Sequence, residues 1–455
     1  MRILIVGAGI VGYNLAQELS QEGHDIAIVD QNSERIRRIA DTLDVLAVEG
    51  NACMPSVLIK AGVKSSEMVI AVTEKDEINL LTCILASRFD VPKRFARLRN
   101  KEFSNQNRVF SPDELSIDQI INPGQIIIKT ILQILETPGV VSVAEFADGE
   151  ILLREFDVPE DAPLSGKTIH DIRNITQMDS FLIVAIVRDG ELIIPKDQDI
   201  IQAGDRFYTL VDKEFLPFLL PMLNRTMDQV EKIIIYGATS TSTQLASILE
   251  KNMLDVCIIE PSREKAQRAA DQLKRTVVQH GSGTDMDLFN EINMKDADFF
   301  LALSHDDENN ILSALLAKKY GAKRALVITH DPEYLPILDS IGMDITINPR
   351  LITVSAILKH LRKGRVMSVF KLIEDAEVME IEVEEDSSIA NKQIVNIKFP
   401  KGAMIGAVLR KGEMLLPDDE VTLEAEDSVI IVALPGTIEK IEKLFGRKRS
   451  FLPFR

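Results

Sequence analysis

The chain matches itself once along its length, and this internal duplication constrains its fold more than any other feature of the sequence. The apolar run Arg2–Val6, followed by Gly-Ala, corresponds to Lys232–Tyr236, also followed by Gly-Ala, at an offset of 230 residues. The same offset pairs Asp30 with Glu260, and each of these acids ends an apolar run. The repeats of solenoid proteins have periods of about 20–50 residues. The longer offset therefore indicates a tandem duplication of one large unit.

Each copy consists of two parts of different character. In residues 2–135, short apolar runs alternate with helical patterns, which predicts a parallel sheet with helices on both faces. Residues 140–222 and 366–436 contain strand-like runs separated by Gly and Pro turns, which predicts small α+β lobes. The duplication includes these small lobes, because Ala185–Pro195 matches Ala407–Pro417.

The predicted fold class is α/β, with two Rossmann-like parallel-sheet lobes that are each followed by a small α+β lobe. We expect the domains to span 1–137, 138–222, 229–362 and 363–455, the last with a basic tail. The strands predicted for the first large lobe are Ile3–Val6, Asp25–Val29, Val45–Glu49, Met68–Ala71 and Arg94–Arg97.

A predicted helix near the end of each large lobe presents an apolar face. The first begins at Pro123 and carries Ile127, Ile131 and Ile134 at helical spacing, and its counterpart begins at Pro349. Packing of these faces within their own lobe is the simpler interpretation. Crossing to the other lobe, or to a second copy of the chain, is the alternative.

Charge, cysteine content and hydropathy exclude several classes of protein. The formal net charge is −18, from 52 Lys and Arg against 70 Asp and Glu, which argues against a protein that coats nucleic acid. Cys53, Cys83 and Cys257 form neither a disulfide framework nor a zinc-ligand pattern, so we expect free thiols in a reducing cytoplasm. No apolar run approaches the ~18 residues that a membrane-spanning helix needs. We therefore expect a soluble, cytoplasmic protein.

A glycine-rich motif follows the first predicted strand. Gly7–Gly12 has the pattern GxGxxG before a helical segment, and Asp30 follows 18 residues later at the end of the next strand. This context is typical of dinucleotide-binding sites. Gly7 allows a tight turn, Gly9 lets the backbone approach a pyrophosphate, and Gly12 allows close helix–strand packing. Asp30 would accept hydrogen bonds from ribose hydroxyls and repel a 2′-phosphate, which favours NAD(H) over its 2′-phosphorylated form.

The second large lobe carries an altered form of this motif. Thr239 stands at the position of Gly9, where its side chain crowds the pyrophosphate although its hydroxyl can bond a phosphate. Glu260 keeps the predicted ribose role. A dinucleotide site, a site for a smaller nucleotide or phosphate, and a structural lobe without ligand all remain open. The candidate residues there are Gly237, Ala238, Thr239, Ser240, Thr241 and Glu260.

Two further patterns occur later in the sequence of the first large lobe. Thr73 is followed by Asp76, Glu77 and Asn79, and a later strand ends in Ala96–Asn100, with the letters ARLRN. Together with the duplicated two-lobe order, these patterns resemble the TrkA-type regulatory subunits of bacterial potassium uptake systems, which are tandem RCK (KTN) proteins with TrkA-C lobes. The resemblance covers essentially the whole chain.

The resemblance implies a regulatory protein and not an enzyme. It implies that NAD(H), and in some members ATP or ADP, occupies the first lobe and changes the state of a membrane-embedded potassium translocation subunit of the TrkH/TrkG type. It also implies a homotetramer, or a dimer of dimers, held through its partner at the inner face of the plasma membrane, with no nucleic acid partner.

The resemblance also implies a set of binding residues. They are Gly7, Ala8, Gly9, Ile10 and Val11 at the phosphates, Asp30 at the ribose, Asn51 and Ala52 near the adenine, Thr73 beside the ribose–phosphate, and Arg97 facing the phosphates. Two positions depart from the family pattern. Asn51 stands where the family usually has Asp, and Ile328 stands at the position of Arg97 in the second unit, which removes a cationic phosphate partner.

An NAD-dependent oxidoreductase is the alternative interpretation. It would need proton-transferring groups beside the nicotinamide, and His170, Asp171 and Arg173 are the few candidates in the first small lobe. A third interpretation is a redox-sensing DNA-binding repressor. The negative net charge and the lack of a helix-turn-helix pattern argue against it. Among the histidines, His280 and His305 could meet near the second cleft, although solvated loop positions are the simpler interpretation.

Overall fold

The chain folds into four lobes in the order large, small, large, small, which confirms the predicted fold class. The computed structural model describes residues 1–100, 103, 114–137, 139–176, 181–212, 214–225, 230–361, 366–372, 376–418 and 420–446. The basic tail that was predicted after residue 446 lies outside them, and the domain boundaries stay a prediction. Within the described ranges, no helix is long and apolar enough to cross a membrane.

The first large lobe is a six-stranded parallel sheet with helices on both faces. Its elements are β1 (Arg2–Val6), α1 (Ile10–Gln21), β2 (Asp25–Asp30), α2 (Ser33–Thr42), β3 (Leu46–Glu49), α3 (Pro55–Lys60), β4 (Met68–Ala71), α4 (Asp76–Arg88), β5 (Lys93–Arg97), β6 (Gln119–Ile121) and α5 (Pro123–Glu136). The strand order is β3-β2-β1-β4-β5-β6. The predicted strands are confirmed to within one residue at each end. The central strands are apolar on both faces because helices cover both.

The first small lobe is an antiparallel sheet with short helices. Its elements are β7 (Val140–Phe146), β8 (Ile151–Asp157), α6 (Ile169–Thr176), β9 (Phe181–Arg188), β10 (Glu191–Ile193), β11 (Arg206–Asp212) and α7 (Leu216–Leu219). The strand order is β10-β9-β11-β8-β7.

The second unit repeats both architectures. Its large lobe contains β12 (Lys232–Tyr236), α8 (Ser240–Leu249), β13 (Asp255–Glu260), α9 (Arg263–Gln272), β14 (Val277–His280), α10 (Met286–Glu291), β15 (Phe299–Ala302), α11 (Asp307–Lys319), β16 (Arg324–Ile328), α12 (Leu335–Ser340), β17 (Ile345–Ile347) and α13 (Pro349–Leu361). Its small lobe contains β18 (Val366–Lys371), β19 (Glu377–Glu382), β20 (Lys392–Gln393), β21 (Ala403–Arg410), β22 (Glu413–Leu415), β23 (Thr422–Leu423), β24 (Ser428–Ala433) and α14 (Ile438–Phe445). The sheet orders are β14-β13-β12-β15-β16-β17, β18-β19-β24-β21-β22 and the pair β20-β23.

The last helices of the two large lobes exchange partners between the units. α5 packs against α8, and Ile131 joins a buried core with Leu245 of the second unit. α13 packs against α1, and Ile357 joins a buried core with Leu15 of the first unit. The simpler expectation, packing within one lobe, is therefore wrong. Helical spacing specifies an apolar face but does not specify the surface that covers it.

The two small lobes pack sheet against sheet. Val184 and Leu210 of the first contact Ala407 and Ile430 of the second in one buried cluster. At Gly406 an added methyl group would lie 2.5 Å from the Leu210 side chain, so the glycine allows the sheets to approach closely. The units are thus joined through their large lobes and through their small lobes.

Replacing Ile357 by Ala tests the exchange of helices. The side chain is fully buried, and its loss from such a core typically costs about 2–5 kcal/mol. Although Ile357 belongs to the second unit, we expect the loss to appear as faster amide hydrogen exchange in α1 of the first unit. Ile341→Ala, at a position that is 44% exposed in the same unit, is the matched control. If faster amide hydrogen exchange were confined to the second large lobe, it would contradict the packing of α13 against the first unit.

The first small lobe also contacts the second large lobe through charged groups. Arg206 Nη2 lies 2.8 Å from Asp339 Oδ1, and Arg206 Nη1 lies 3.6 Å from Glu155 Oε1. Tyr208 donates a hydrogen bond to the Glu155 carboxylate, which is buried. Burial raises the pKa of Glu155 from 4.5 to about 7 and outweighs the opposing effect of Arg206. The contact therefore contains a carboxyl group that is protonated more readily than in the unfolded chain.

Glu155→Gln should change how stability depends on pH. Because the folded pKa is raised, the folded chain binds more protons than the unfolded chain between pH 4.5 and about 7, and its stability falls as pH rises through that window. A neutral amide removes this loss, which amounts to up to about 3 kcal/mol. We expect thermal unfolding to show a gain for the variant at pH 8 that shrinks towards pH 4.5. Glu160→Gln, at an exposed position, is the control, and parallel pH profiles for wild type and Glu155→Gln would contradict the assignment.

Candidate functional site

The glycine loop between β1 and α1 has the geometry of a phosphate-binding turn. Gly7 has a φ of +110°, a conformation that favours glycine. A methyl group at Gly12 would lie 1.8 Å from the Gly7 carbonyl oxygen, so the helix can pack here only without a side chain. At Gly9, the nearest atom of the described residues to an added methyl group is 3.8 Å away. Gly9 therefore leaves open the space through which a ligand would approach.

The first turn of α1 offers N–H groups to that space. Gly9 is the N-cap residue, and among the described residues no side chain caps it. The first N–H groups of a helix lack partners within the helix, and the helix dipole adds positive potential there. The loop can therefore bind an anion through its backbone.

Asp30 connects the end of β2 to this loop. Its Oδ2 accepts a hydrogen bond from the Ala8 N–H at 2.6 Å, and its Oδ1 accepts one from the Asn32 N–H at 2.8 Å. Arg35 Nη1 lies 4.0 Å from Oδ2. Each carboxylate oxygen can accept more than one hydrogen bond, so Asp30 can still accept ribose hydroxyls. The carboxylate therefore positions the loop and remains available to a ligand.

A buried asparagine explains the Thr73 to Asn79 pattern. Thr73 Oγ1 donates to Asn79 Oδ1 at 2.7 Å, while Asn79 Nδ2 donates to the carbonyls of Thr73 and Arg97 at 3.1 and 2.7 Å. These bonds tie the ends of β4 and β5 together at the carboxyl edge of the sheet, where ligands bind in open α/β sheets. Asn310 makes the corresponding bonds to Ser304 and Ile328 in the second unit.

The carboxyl edges of the two parallel sheets face one another across a single cleft of about 750 Å³. This volume is in the range of small-molecule sites. The predicted site residues that line it are Gly7, Ala8, Gly9, Ile10, Val11, Asp30, Ala52, Thr73 and Arg97 from the first unit and Thr239, Ser240 and Thr241 from the second. Among the residues described, Asn51, Gly237, Ala238 and Glu260 are not part of this lining. Asn51 instead accepts a hydrogen bond from the Cys53 N–H at 2.9 Å.

The second glycine loop is closed by its own side chains. Thr239 is the N-cap of α8 and accepts from the Ser242 N–H, while Ser242 Oγ accepts from the Thr239 N–H at 2.7 Å in a capping box. Ser242 Oγ also donates to the Gly237 carbonyl, the group that Gly12 approaches in the first unit. Glu260 is buried and accepts from the N–H groups of Ala238 and Ser262, both at 2.7 Å. The terminus of α8 is thus capped by its own side chains, whereas that of α1 is not, and Glu260 makes the same two backbone contacts as Asp30 but is more deeply buried.

Comparison with known proteins identifies the family. The TrkA-N domain model matches residues 3–123 and 233–349, and the TrkA-C domain model matches 153–214 and 378–446. The Trk system potassium uptake protein TrkA of Azorhizobium caulinodans is 34% identical over 99% of this chain and 100% of that protein. The corresponding protein of Halomonas elongata is 33% identical over 98% of both chains. The chain belongs to the TrkA family of potassium uptake proteins.

A solved structure of the same fold supports the architecture. The GsuK channel bound to NAD superposes with a TM-score of 0.61 and 18% identity, over 98% of this chain and 78% of that one. The relatives are named potassium uptake proteins, and membership of their family indicates that the chain is not an enzyme. The oxidoreductase and repressor alternatives are thereby set aside.

The cleft of this TrkA-family chain contains charged residues of which only Asp30 and Arg97 were expected as site residues from the sequence. Six basic side chains line it against four carboxylates. The basic residues are Arg35, Arg38, Lys75, Arg97, Arg99 and Arg350, and the acidic residues are Asp30, Glu74, Asp331 and Glu333. Burial, together with the positive charges of Arg99 and Arg350, lowers the pKa of Arg97 to about 10 against the opposing effects of Glu74 and Asp76. The cleft is therefore more basic than the chain as a whole.

Two histidines of the second unit lie in the same cleft. The ring centroids of His305 and His330 are 5.8 Å apart. His280 was considered as a partner for His305. It does not line the cleft, and its Nε2 lies 3.1 Å from the Pro261 carbonyl oxygen. Both histidines could have been found by aligning the two units, in which His305 and His330 fall at the positions of Glu74 and Arg99.

The cysteines are free thiols, as expected. Burial raises the pKa of Cys83 and of Cys257 to about 12, which makes both unreactive. Within the described part of the chain, no group of three or more His, Cys, Asp or Glu side chains could hold a metal ion.

Proposed function

We propose that the first unit binds NAD(H) on the glycine loop between β1 and α1. The observation that carries this proposal is the open N-terminus of α1 beside Asp30, in a cleft large enough for a nucleotide. The residues fit the group: the N–H groups after Gly9 would hold the pyrophosphate, and Asp30 would accept the ribose hydroxyls. Ala52, Thr73 and Arg97 line the same cleft and would contact the rest of the ligand.

ADP and ATP belong to the same proposal, because they share the adenosine and the linked phosphates. The basic lining of the cleft suits a polyphosphate as well as a dinucleotide. We further propose that the second loop does not hold a pyrophosphate. Its capping box occupies the N–H groups of Thr239 and Ser242, and a methyl-bearing threonine stands in place of Gly9.

The position of the cleft supports a regulatory role. Residues from both units line it, including Pro123 and Pro349 at the starts of the exchanged helices α5 and α13. A ligand shifts an equilibrium only through different affinities for two states, and couplings of about 1–3 kcal/mol are sufficient. A nucleotide in this cleft would contact both units and favour one arrangement of them. We propose that this change gates the membrane potassium translocator, a TrkH/TrkG-like subunit.

We also propose the setting in which this regulation takes place. The chain is a cytoplasmic protein that its membrane partner holds at the inner face of the plasma membrane. Four chains form a homotetramer, or a dimer of dimers, and so contribute eight units to one ring. The tandem duplication supports this arrangement, because each chain already contains two units.

Asp30→Ala and Gly9→Val should remove NADH binding. The first loses the ribose acceptor, and the second fills the approach to the pyrophosphate. Isothermal titration calorimetry on the full-length chain should show an affinity loss of at least roughly tenfold for each, since a hydrogen bond to a charged group contributes about 1.5–3 kcal/mol. NADH should likewise fail to raise the melting temperature of either variant. Asp41→Ala, at an exposed position of α2, is the control, and wild-type affinity in Asp30→Ala would rule out this site.

Deletion of the gene should impair growth at low external potassium, and high potassium should restore it. The reason is that the membrane translocator would lose its regulatory subunit. Complementation separates the two parts of the proposal: wild type should restore growth and potassium uptake, whereas Gly9→Val should not do so fully. Normal uptake in a deletion strain without a paralogue would refute the proposed role in the cell.

A further inference from the structure

Three arginines from both units, Arg97, Arg99 and Arg350, line the shared cleft, and the carboxylates of Glu74 and Asp76 offset part of their positive charge. Arg99 and Arg350 each lower the pKa of Arg97, and Arg99 also faces His305. Arg97 Nε is buried and has no hydrogen-bond partner within the described part of the chain. A buried donor without a partner and neighbouring like charges are both unfavourable, and an anion bound between them would relieve both.

The second unit contributes basic groups to this cluster where the first unit has none at the equivalent position. His305 aligns with Glu74, and Arg350 aligns with Gly124. The second unit thus contributes basic side chains to the cleft that contains the glycine loop of the first unit, although its own loop is closed by a capping box.

The orientation of His330 suits an anion in the cleft. Its Nδ1 lies 2.9 Å from Asp307 Oδ1, and its backbone N–H donates to the same carboxylate at 2.8 Å. The carboxylate fixes the ring through Nδ1, so Nε2 is the nitrogen left for a ligand. Arg350 is the second residue of α13, and its N–H donates to Asn348 Oδ1 at 2.9 Å, which anchors its backbone at the edge of the cleft.

We propose that Arg350, His305 and His330 of the second unit form a phosphate subsite for the nucleotide on the glycine loop of the first. This inference rests on the proposed function, because the ligand is the same. The N-terminus of α1 takes the phosphate next to the adenosine. The subsite takes the following phosphate, which belongs to ADP or ATP in one case and to the nicotinamide half of NAD(H) in the other. The bound nucleotide would then link the two units.

Arg350→Gln and the double variant His305→Gln/His330→Gln test the subsite. ADP, AMP and NADH are titrated into the full-length variants by calorimetry. We expect ADP affinity to fall roughly tenfold in Arg350→Gln, because a charge-assisted contact is lost. The affinity for AMP, which lacks the second phosphate, should stay unchanged. Arg350→Lys keeps the charge without the planar fork and should recover part of the loss.

The matched controls are Arg268→Gln and His280→Gln, which change the same residue types in the second unit away from the cleft lining. If the affinity for NADH falls as much as that for ADP, the subsite binds the pyrophosphate. If only the affinity for ADP falls, the subsite binds a terminal phosphate. Unchanged ADP and NADH affinities in both variants would overturn the subsite. If Asp30→Ala still abolished binding in that case, the proposed function would stand without it. If the wild-type chain bound no nucleotide, both proposals would fall.

Discussion

The exchange of α5 and α13 between the two units is the interaction on which the rest of the structure depends. Each helix buries its apolar face in the core of the other unit, and a fully buried Ile or Leu side chain contributes about 1.5–3 kcal/mol. Neither large lobe therefore has a complete core alone. The exchange also brings the carboxyl edges of the two sheets together, so that one cleft replaces two separate sites.

The two copies of the glycine motif differ in the way their helix termini are used within this shared cleft. The first loop keeps open N–H groups and an accessible Asp30, which suits a ligand. The second loop uses Thr239 and Ser242 to satisfy its own helix terminus, and Glu260 is buried behind it. A duplicated unit that faces its copy no longer needs two identical sites. Its loop can become structural while the residues around it serve the neighbouring site.

Much of the first unit could be predicted from local sequence. The strands alternate with helices at regular spacing, and the place of Asp30 after the second strand follows from the motif. The role of Asn51 near the adenine stays a prediction, and its side chain accepts a hydrogen bond from the Cys53 N–H, as short polar side chains often do beside a turn. His330 and Arg350 were missed because they reach the cleft from the other unit. The alignment of the two units places His330 at the position of Arg99, but only the fold shows that it lines the same cleft as the first glycine loop.

The sequence by itself determined the duplication, the α/β class of each large lobe, the glycine loop and the family. These depend on local periodicity, on turn-forming residues and on similarity between segments, all of which are visible along the chain. Only the tertiary structure decided which core covers each apolar helix, that the two loops share one cleft, and that the second loop is closed. These features depend on contacts between residues far apart in the chain. Because hydrophobic burial is not directional, many different surfaces could cover the same apolar helix face.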